Sequence, residues 1–150
     1  MSKRKQHAYQ VALRMAQAKE VRAQLALASA VKQEAAAQEH VGLVEAMCQS
    51  VSQATHSCVA GTHAMDMARY ELLTQLSAVL SDQLRHANDI LDEGSCQRRE
   101  KASENVLAKR HRELIGEHLD HLCLAMTYAR VAKAQEESVE LWLECRGEQP

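Results

Sequence analysis

Residues 41–64 read VGLVEAMCQSVSQATHSCVAGTHA, and two features of this stretch point to a helical hairpin. Val41, Val44, Cys48, Val51, Thr55 and Cys58 recur at alternating spacings of three and four residues. That is the seam of a helix packed against another helix, built here from small and partly polar side chains. The seam then stops. Val59-Ala60-Gly61-Thr62 places a glycine just past the last periodic residue and a threonine where it can cap a following helix.

The pattern continues in both directions. Backward, the seam runs through Ala37, Ala30 and Leu27, with Glu34 interrupting it. The same region is rich in alanine, the best helix former because it loses no side-chain entropy. Forward, Leu73, Leu76, Leu80, Leu84, Ala87 and Leu91 form a leucine-rich helical stripe. Gly94-Ser95 breaks it, and the pattern resumes through Ile115, Leu119, Leu122, Met126, Ala129, Ala132, Val139 and Leu143. Asp66 and Asp82 read as ordinary helix-surface positions.

Composition agrees with long helices. The chain of 150 residues has no phenylalanine, and aromatic residues are 3% of it. A β-sandwich or barrel draws on aromatic and β-branched residues, so this composition argues against one. The single proline is the last residue, Pro150, and there are five glycines. Many short strands would need more turn residues than that.

The expected fold is therefore all-α, a single domain over residues 1–150 made of a long antiparallel two-helix coiled-coil hairpin. Helix 1 is expected over about 6–59, a bend at about 60–62 and helix 2 over about 63–145. Helix 1 would be roughly 80 Å long at about 1.5 Å per residue. Helix 2 would outrun it and leave its last turns unpaired. The alternative is a three-helix bundle with a turn near Gly94. One glycine inside a helix costs about 1 kcal/mol relative to alanine, which a long helix tolerates, so the hairpin is the preferred reading.

Charge is unevenly distributed. The net formal charge runs from −2 with histidine neutral to +6 with all eight histidines protonated. Residues 1–22 hold six bases against Glu20 alone, and residues 134–150 hold five acids against Arg146 alone. Such polarity marks interaction surfaces, or simply solvated helix faces. The five cysteines are odd in number and contain no C-x-x-C pair, which suits a reducing, cytoplasmic setting. No signal peptide or membrane span is visible.

Chemistry-bearing clusters are weak. His111, His118 and His121 share a helix face near Glu117 and Cys123, but a metal site takes ligands converging from more than one element. A solvated stripe explains them more simply. Cys58 with His56 and His63 resembles a thiol–imidazole pair, yet a seam position accounts for Cys58. No nucleophile elbow, glycine-rich phosphate loop or paired carboxylates appear. No enzyme activity, cofactor or metal is expected. Nucleic acid is not expected either, because no aromatics interleave with the N-terminal bases for stacking. The largely alanine apolar face argues against membrane insertion.

Several of these features come together in one resemblance. A basic, alanine- and glutamine-rich first helix, a short bend and a longer second helix are arranged as in the FliJ and YscO export-stalk proteins of flagellar and virulence type III secretion. Locally, Gly61-Thr62-His63-Ala64 followed by Tyr70 and Leu73 is similar to the flagellar pattern of glycine, tyrosine and phenylalanine at those offsets. The charged stretch 134–147 with its late bulky Trp142 is similar as well. The resemblance implies a non-enzymatic cytoplasmic stalk, peripheral to the secretion apparatus at the inner membrane. Such a stalk binds and stimulates a hexameric export ATPase, links it to a membrane export-gate protein, and can bind substrate chaperones. By position, Lys3, Arg4, Lys5, Arg14, Lys19 and Arg22 would meet the ATPase, and Leu43, Leu73, Leu76 and Leu80 the gate. Tyr70 is either a seam residue or an anchor for a partner. Ala46 and Ser50 stand where the flagellar pattern has tyrosines, and Leu73 where it has phenylalanine, which points to a virulence-type or divergent member. The other function class left open is a coiled-coil chaperone or scaffold that holds secreted partner proteins.

Overall fold

The computed structural model describes residues 2–61 and 64–147, with side chains from Arg4 onward. It contains two helices, α1 (Ser2–Ala60, 59 residues) and α2 (Met67–Gly147, 81 residues). The fold is the two-helix hairpin. Gly94 and Ser95 lie inside continuous helix, so the three-helix alternative is excluded.

The bend is longer than expected. Gly61 and residues 64–66 are non-helical, and α2 begins at Met67 rather than at residue 63. The physical reason is Asp66. Its carboxylate accepts a hydrogen bond from the Arg69 backbone N–H at 3.2 Å. Its carbonyl accepts one from the Tyr70 N–H at 3.0 Å. Asp66 is thus the N-cap of α2, not the ordinary surface residue expected from the sequence. Thr62, the cap expected from the sequence, lies outside the described residues. Gly61 ends α1 without a positive φ, so the left-handed glycine cap is not used here.

Contacts divide the chain into two units. The first takes in residues up to Ala23 together with those from Asn105 onward, and the second is Gln24–Glu104.

The second unit holds the bend. On α1, Leu27, Ala30, Glu34, Ala37, Val41, Val44, Cys48, Val51, Thr55 and Cys58 keep the three-four spacing and are half-buried or buried. On α2 the same spacing runs from Tyr70 through Leu73, Leu80, Leu84, Ala87, Leu91, Gly94 and Arg98 to Lys101. Ala30, Val41, Val44, Leu80 and Ala87 are buried. Small residues dominate the α1 side and leucines the α2 side, so large side chains fill the space that alanines leave. Thr55 satisfies its hydroxyl within its own helix, donating to the Val51 carbonyl at 2.8 Å.

Glu34 does not interrupt this seam; it belongs to it. Arg98 Nε lies 2.5 Å from Glu34 Oε2. Gly94 stands one turn before Arg98, and a side chain there would begin 3.6 Å from the Glu34 Cα. One turn further on, Lys101 pairs with Glu104 at 3.0 Å. The hydrogen bond that Lys101 donates to Glu104, then the charge of that carboxylate, hold the Lys101 ammonium above the usual lysine value of 10.5. Any contribution of this pair is present below that pH and is lost only as pH rises through the raised value.

In the first unit the same spacing carries Leu13, Ala16, Glu20 and Ala23 on α1 and Asn105, Ala108, Arg112, Ile115, Leu119, Leu122 and Met126 on α2. Ala16 is buried. Arg112 Nε lies 2.6 Å from Glu20 Oε2. The Tyr9 ring sits 6.4 Å from that of His118 in a tilted arrangement, and Gln6 donates to Cys123 Sγ at 3.6 Å. Asn105 Oδ1 is buried with no hydrogen-bond partner among the described residues. From Thr127 to Gly147 every residue of α2 is exposed.

Candidate partner-binding surfaces

The basic residues singled out in the sequence fall on one element, the start of α1. Arg4, Lys5, Arg14, Lys19 and Arg22 are all exposed and lie off the seam. Lys3 is in the helix, but its side chain lies outside the described residues. The one acid among them, Glu20, is turned into the seam and neutralised by Arg112. The solvent-facing side of this segment is therefore more cationic than its sequence suggests.

The apolar residues proposed for a gate contact do not form one surface. Leu43 and Leu76 are exposed, at 60% and 46% of their full areas. Tyr70 and Leu73 are half-buried, and Leu80 is 4% exposed. Leu80 is a seam residue, because its position in the three-four spacing turns it toward α1. It offers no surface to a partner while the hairpin is closed. Leu76 lies just off that spacing and so remains outside. Tyr70 is half-buried and keeps the seam spacing. It stands at the first turn of α2 and lines an open groove with Ser52, Thr55, His56, Val59, Thr74 and Ser77.

The titratable clusters gain nothing from the fold. Among the described residues no group of histidine, cysteine and carboxylate side chains is arranged to hold a metal ion. His111, His118 and His121 are all exposed, and the His118 ring lies near that of Tyr9. Cys58 Sγ approaches the Asp66 carbonyl at 4.0 Å, and all five cysteines are free. Neither described helix is long and apolar enough to cross a membrane.

One surface was not read from the sequence. The last turns of α2 were expected to be unpaired, and Ala129, Ala132, Val139 and Leu143, in which the sequence pattern continues, are exposed there. The apolar side chains here regroup as Tyr128, Val131, Ala132, Val139, Trp142 and Leu143, at i, i+3, i+4, i+11, i+14 and i+15. On a helical repeat of about 3.6 residues these share one face, nearly opposite to that of Ile115, Leu119, Leu122 and Met126. The seam side is taken over by Arg130, Lys133, Glu137, Glu140 and Glu144. The repeat of seven between Leu114, His121, Tyr128, Gln135 and Trp142 was the available signal. The stronger inner seam masked it.

With this geometry in view, comparison with known proteins adds no relative. No family model matches the chain, and no curated protein or solved structure matches it.

Proposed function

We propose that this chain is a non-enzymatic central stalk of a type III secretion apparatus. In this reading it acts in the cytoplasm at the inner membrane, binds and stimulates a hexameric export ATPase, and links that enzyme to the export gate. The observation that carries the reading is the start of α1. Five exposed cations, Arg4, Lys5, Arg14, Lys19 and Arg22, share a helix segment whose one acid is neutralised in the seam. A ring of acidic sites could engage such a segment through long-range attraction without deep pockets. Residues Leu43 and Leu76, with the accessible edges of Tyr70 and Leu73, are the candidates for the gate contact.

The test is ATP turnover by the cognate hexameric enzyme with and without this protein at low salt. The expected result is faster turnover with the wild-type chain and weaker binding by the Arg14→Glu, Lys19→Glu, Arg22→Glu variant. Absence of both binding and stimulation at low salt overturns the stalk reading. Unchanged affinity of the variant overturns the placement on α1.

A second reading is a chaperone or scaffold for secreted partners. The open groove at Tyr70, lined by hydroxyl groups and His56, favours it. Co-purification separates the two: a stalk brings down the ATPase, a chaperone brings down secreted substrates.

A further inference from the structure

The second unit, Gln24–Glu104, has two broad faces of different chemistry. Its two helix segments run in opposite directions. One step back along either of them from a seam position, about 100° of turn, therefore leads to the same side of the pair. The grooves bear this out. Ala26, Ser29 and Gln33 of α1 each stand one residue before a seam position, and they line one groove with Gln97 and Glu100 of α2, which are placed the same way. Ser52, His56 and Val59 each stand one residue after a seam position, and they line another groove with Thr74, which does so too.

Toward the bend the first of these faces becomes apolar. Leu43, Met47, Leu72, Leu76, Val79 and Ile90 all stand one residue before the seam spacing, and they are exposed at 44% to 66% of their full areas. From Ala36 to Ser57 on α1 and from Leu72 to Ile90 on α2, these positions hold no lysine, arginine or carboxylate. The opposite face carries Glu45, Glu71, Arg85 and Asp92 at the matching positions, all exposed. Met47, Leu76 and Ile90 are less exposed than Leu43, Leu72 and Val79. The first three border the cleft between the helices, and the other three lie toward the outer edges of the face.

We propose that this face is an interface for the same face of a second copy of the chain, the two hairpins meeting as a four-helix bundle. Its width selects the occupant. A single helix lying in the cleft would cover Met47, Leu76 and Ile90 and leave the outer three side chains in water. A hairpin is two helices wide and covers all six. The area agrees: the six side chains offer on the order of 600 Å² per copy, so two copies remove on the order of 1,200 Å², where specific interfaces begin. The face is free of charged residues, so no like charges meet when it is laid on itself. The same patch serves both copies about a two-fold axis, and the assembly closes at two. Leu43 and Leu76, the candidates for the gate contact, are covered in the pair.

The experiment measures the molar mass of the protein alone by analytical ultracentrifugation, so its result is independent of the stalk reading. The mass should double between about 1 and 100 μM. It should not fall as salt is raised, because apolar burial drives the pairing. The Leu76→Glu, Val79→Glu variant should pair at least about 100-fold more weakly, since it would place four carboxylates in an apolar layer. Its helicity by circular dichroism should be unchanged, because both positions are exposed and off the seam. The Ser81→Glu, Asn88→Glu variant adds the same charge to the opposite face and should pair as the wild type does. A chain that is monomeric at every concentration overturns the proposal. So does a mass that climbs past two copies, a dimer that survives Leu76→Glu, Val79→Glu, or an equal loss of pairing in the two variants.

Discussion

Arg98 and Glu34 form an ion pair within the helix–helix seam, at 2.5 Å, one turn from the glycine that faces the Glu34 backbone. The two side chains are only partly exposed, so water screens them less than it screens a surface pair. Charge reversal at Glu34 would set a third cation beside Arg98 and Lys101. Glu34→Lys should lower the thermal midpoint, and the further change Arg98→Glu should recover part of the loss. A double-mutant cycle read by thermal denaturation should give a coupling of about 1 kcal/mol, falling as salt is added. A coupling of zero would mean the seam is indifferent to this pair.

Gly94 is a weakness the fold does not require. A methyl group there would meet the Glu34 Cα at 3.6 Å, an ordinary van der Waals distance. Gly94→Ala should therefore stabilise the hairpin by about 1 kcal/mol, through helix propensity and a less flexible unfolded chain. Gly94→Leu should destabilise it, because the larger side chain has the Glu34 backbone in its way. Equilibrium unfolding in urea distinguishes the two signs.

Leu80 and Leu76 stand four residues apart on α2 and should respond differently. Leu80 is buried in the seam, so Leu80→Ala should cost about 2–3 kcal/mol, the lower part of the range for buried leucines because a two-helix seam is thin. Leu76→Ala should change stability by no more than about 0.5 kcal/mol. Equal losses at both sites in urea unfolding would contradict the assignment of Leu80 to the seam and Leu76 to the surface.

The bend depends on a carboxylate. Asp66 caps α2 through the Arg69 amide, so Asp66→Ala should cost about 1 kcal/mol, and Asp66→Asn, which keeps the acceptor, distinctly less. Amide hydrogen exchange in the first turn of α2 should rise with the alanine variant. Unchanged protection there would remove the cap from the account.

Asn105 leaves its side-chain oxygen buried without a partner among the described residues. Replacing it with leucine removes that desolvation cost and adds apolar contact, so Asn105→Leu should stabilise by about 1–2 kcal/mol. A polar residue at a seam position specifies register at a cost in stability. The gain should therefore come with a less uniform pairing, visible as broadened amide spectra. A destabilised variant would show that the asparagine is satisfied in solution.

The helices themselves were legible because the information is local. Alanine content, the three-four spacing from Val41 to Cys58, the leucines from Leu73 to Leu91 and the lack of internal proline all act along one helix. Gly61 marked the end of α1 for the same reason. What sequence spacing misjudged were residues whose meaning lies across the pair. Glu34 looked like an interruption until Arg98 was placed opposite it. Asp66 looked ordinary because its role depends on where the first turn of α2 begins. Among the candidate site residues, the exposed cations of α1 were legible as a charge run. The split of Leu43 and Leu76 from Leu80 was not, since a leucine at one helical spacing differs from its neighbour only in which way the partner helix lies.

The sequence alone determined that this chain forms long helices joined near Gly61, because helix propensity and periodicity are properties of neighbours in the chain. Only the tertiary structure decided which residues meet across the pair, Glu34 with Arg98 and Glu20 with Arg112, and that Leu80 is buried while Leu76 is exposed. Those depend on a seam position that exists only when a second helix is there to define it.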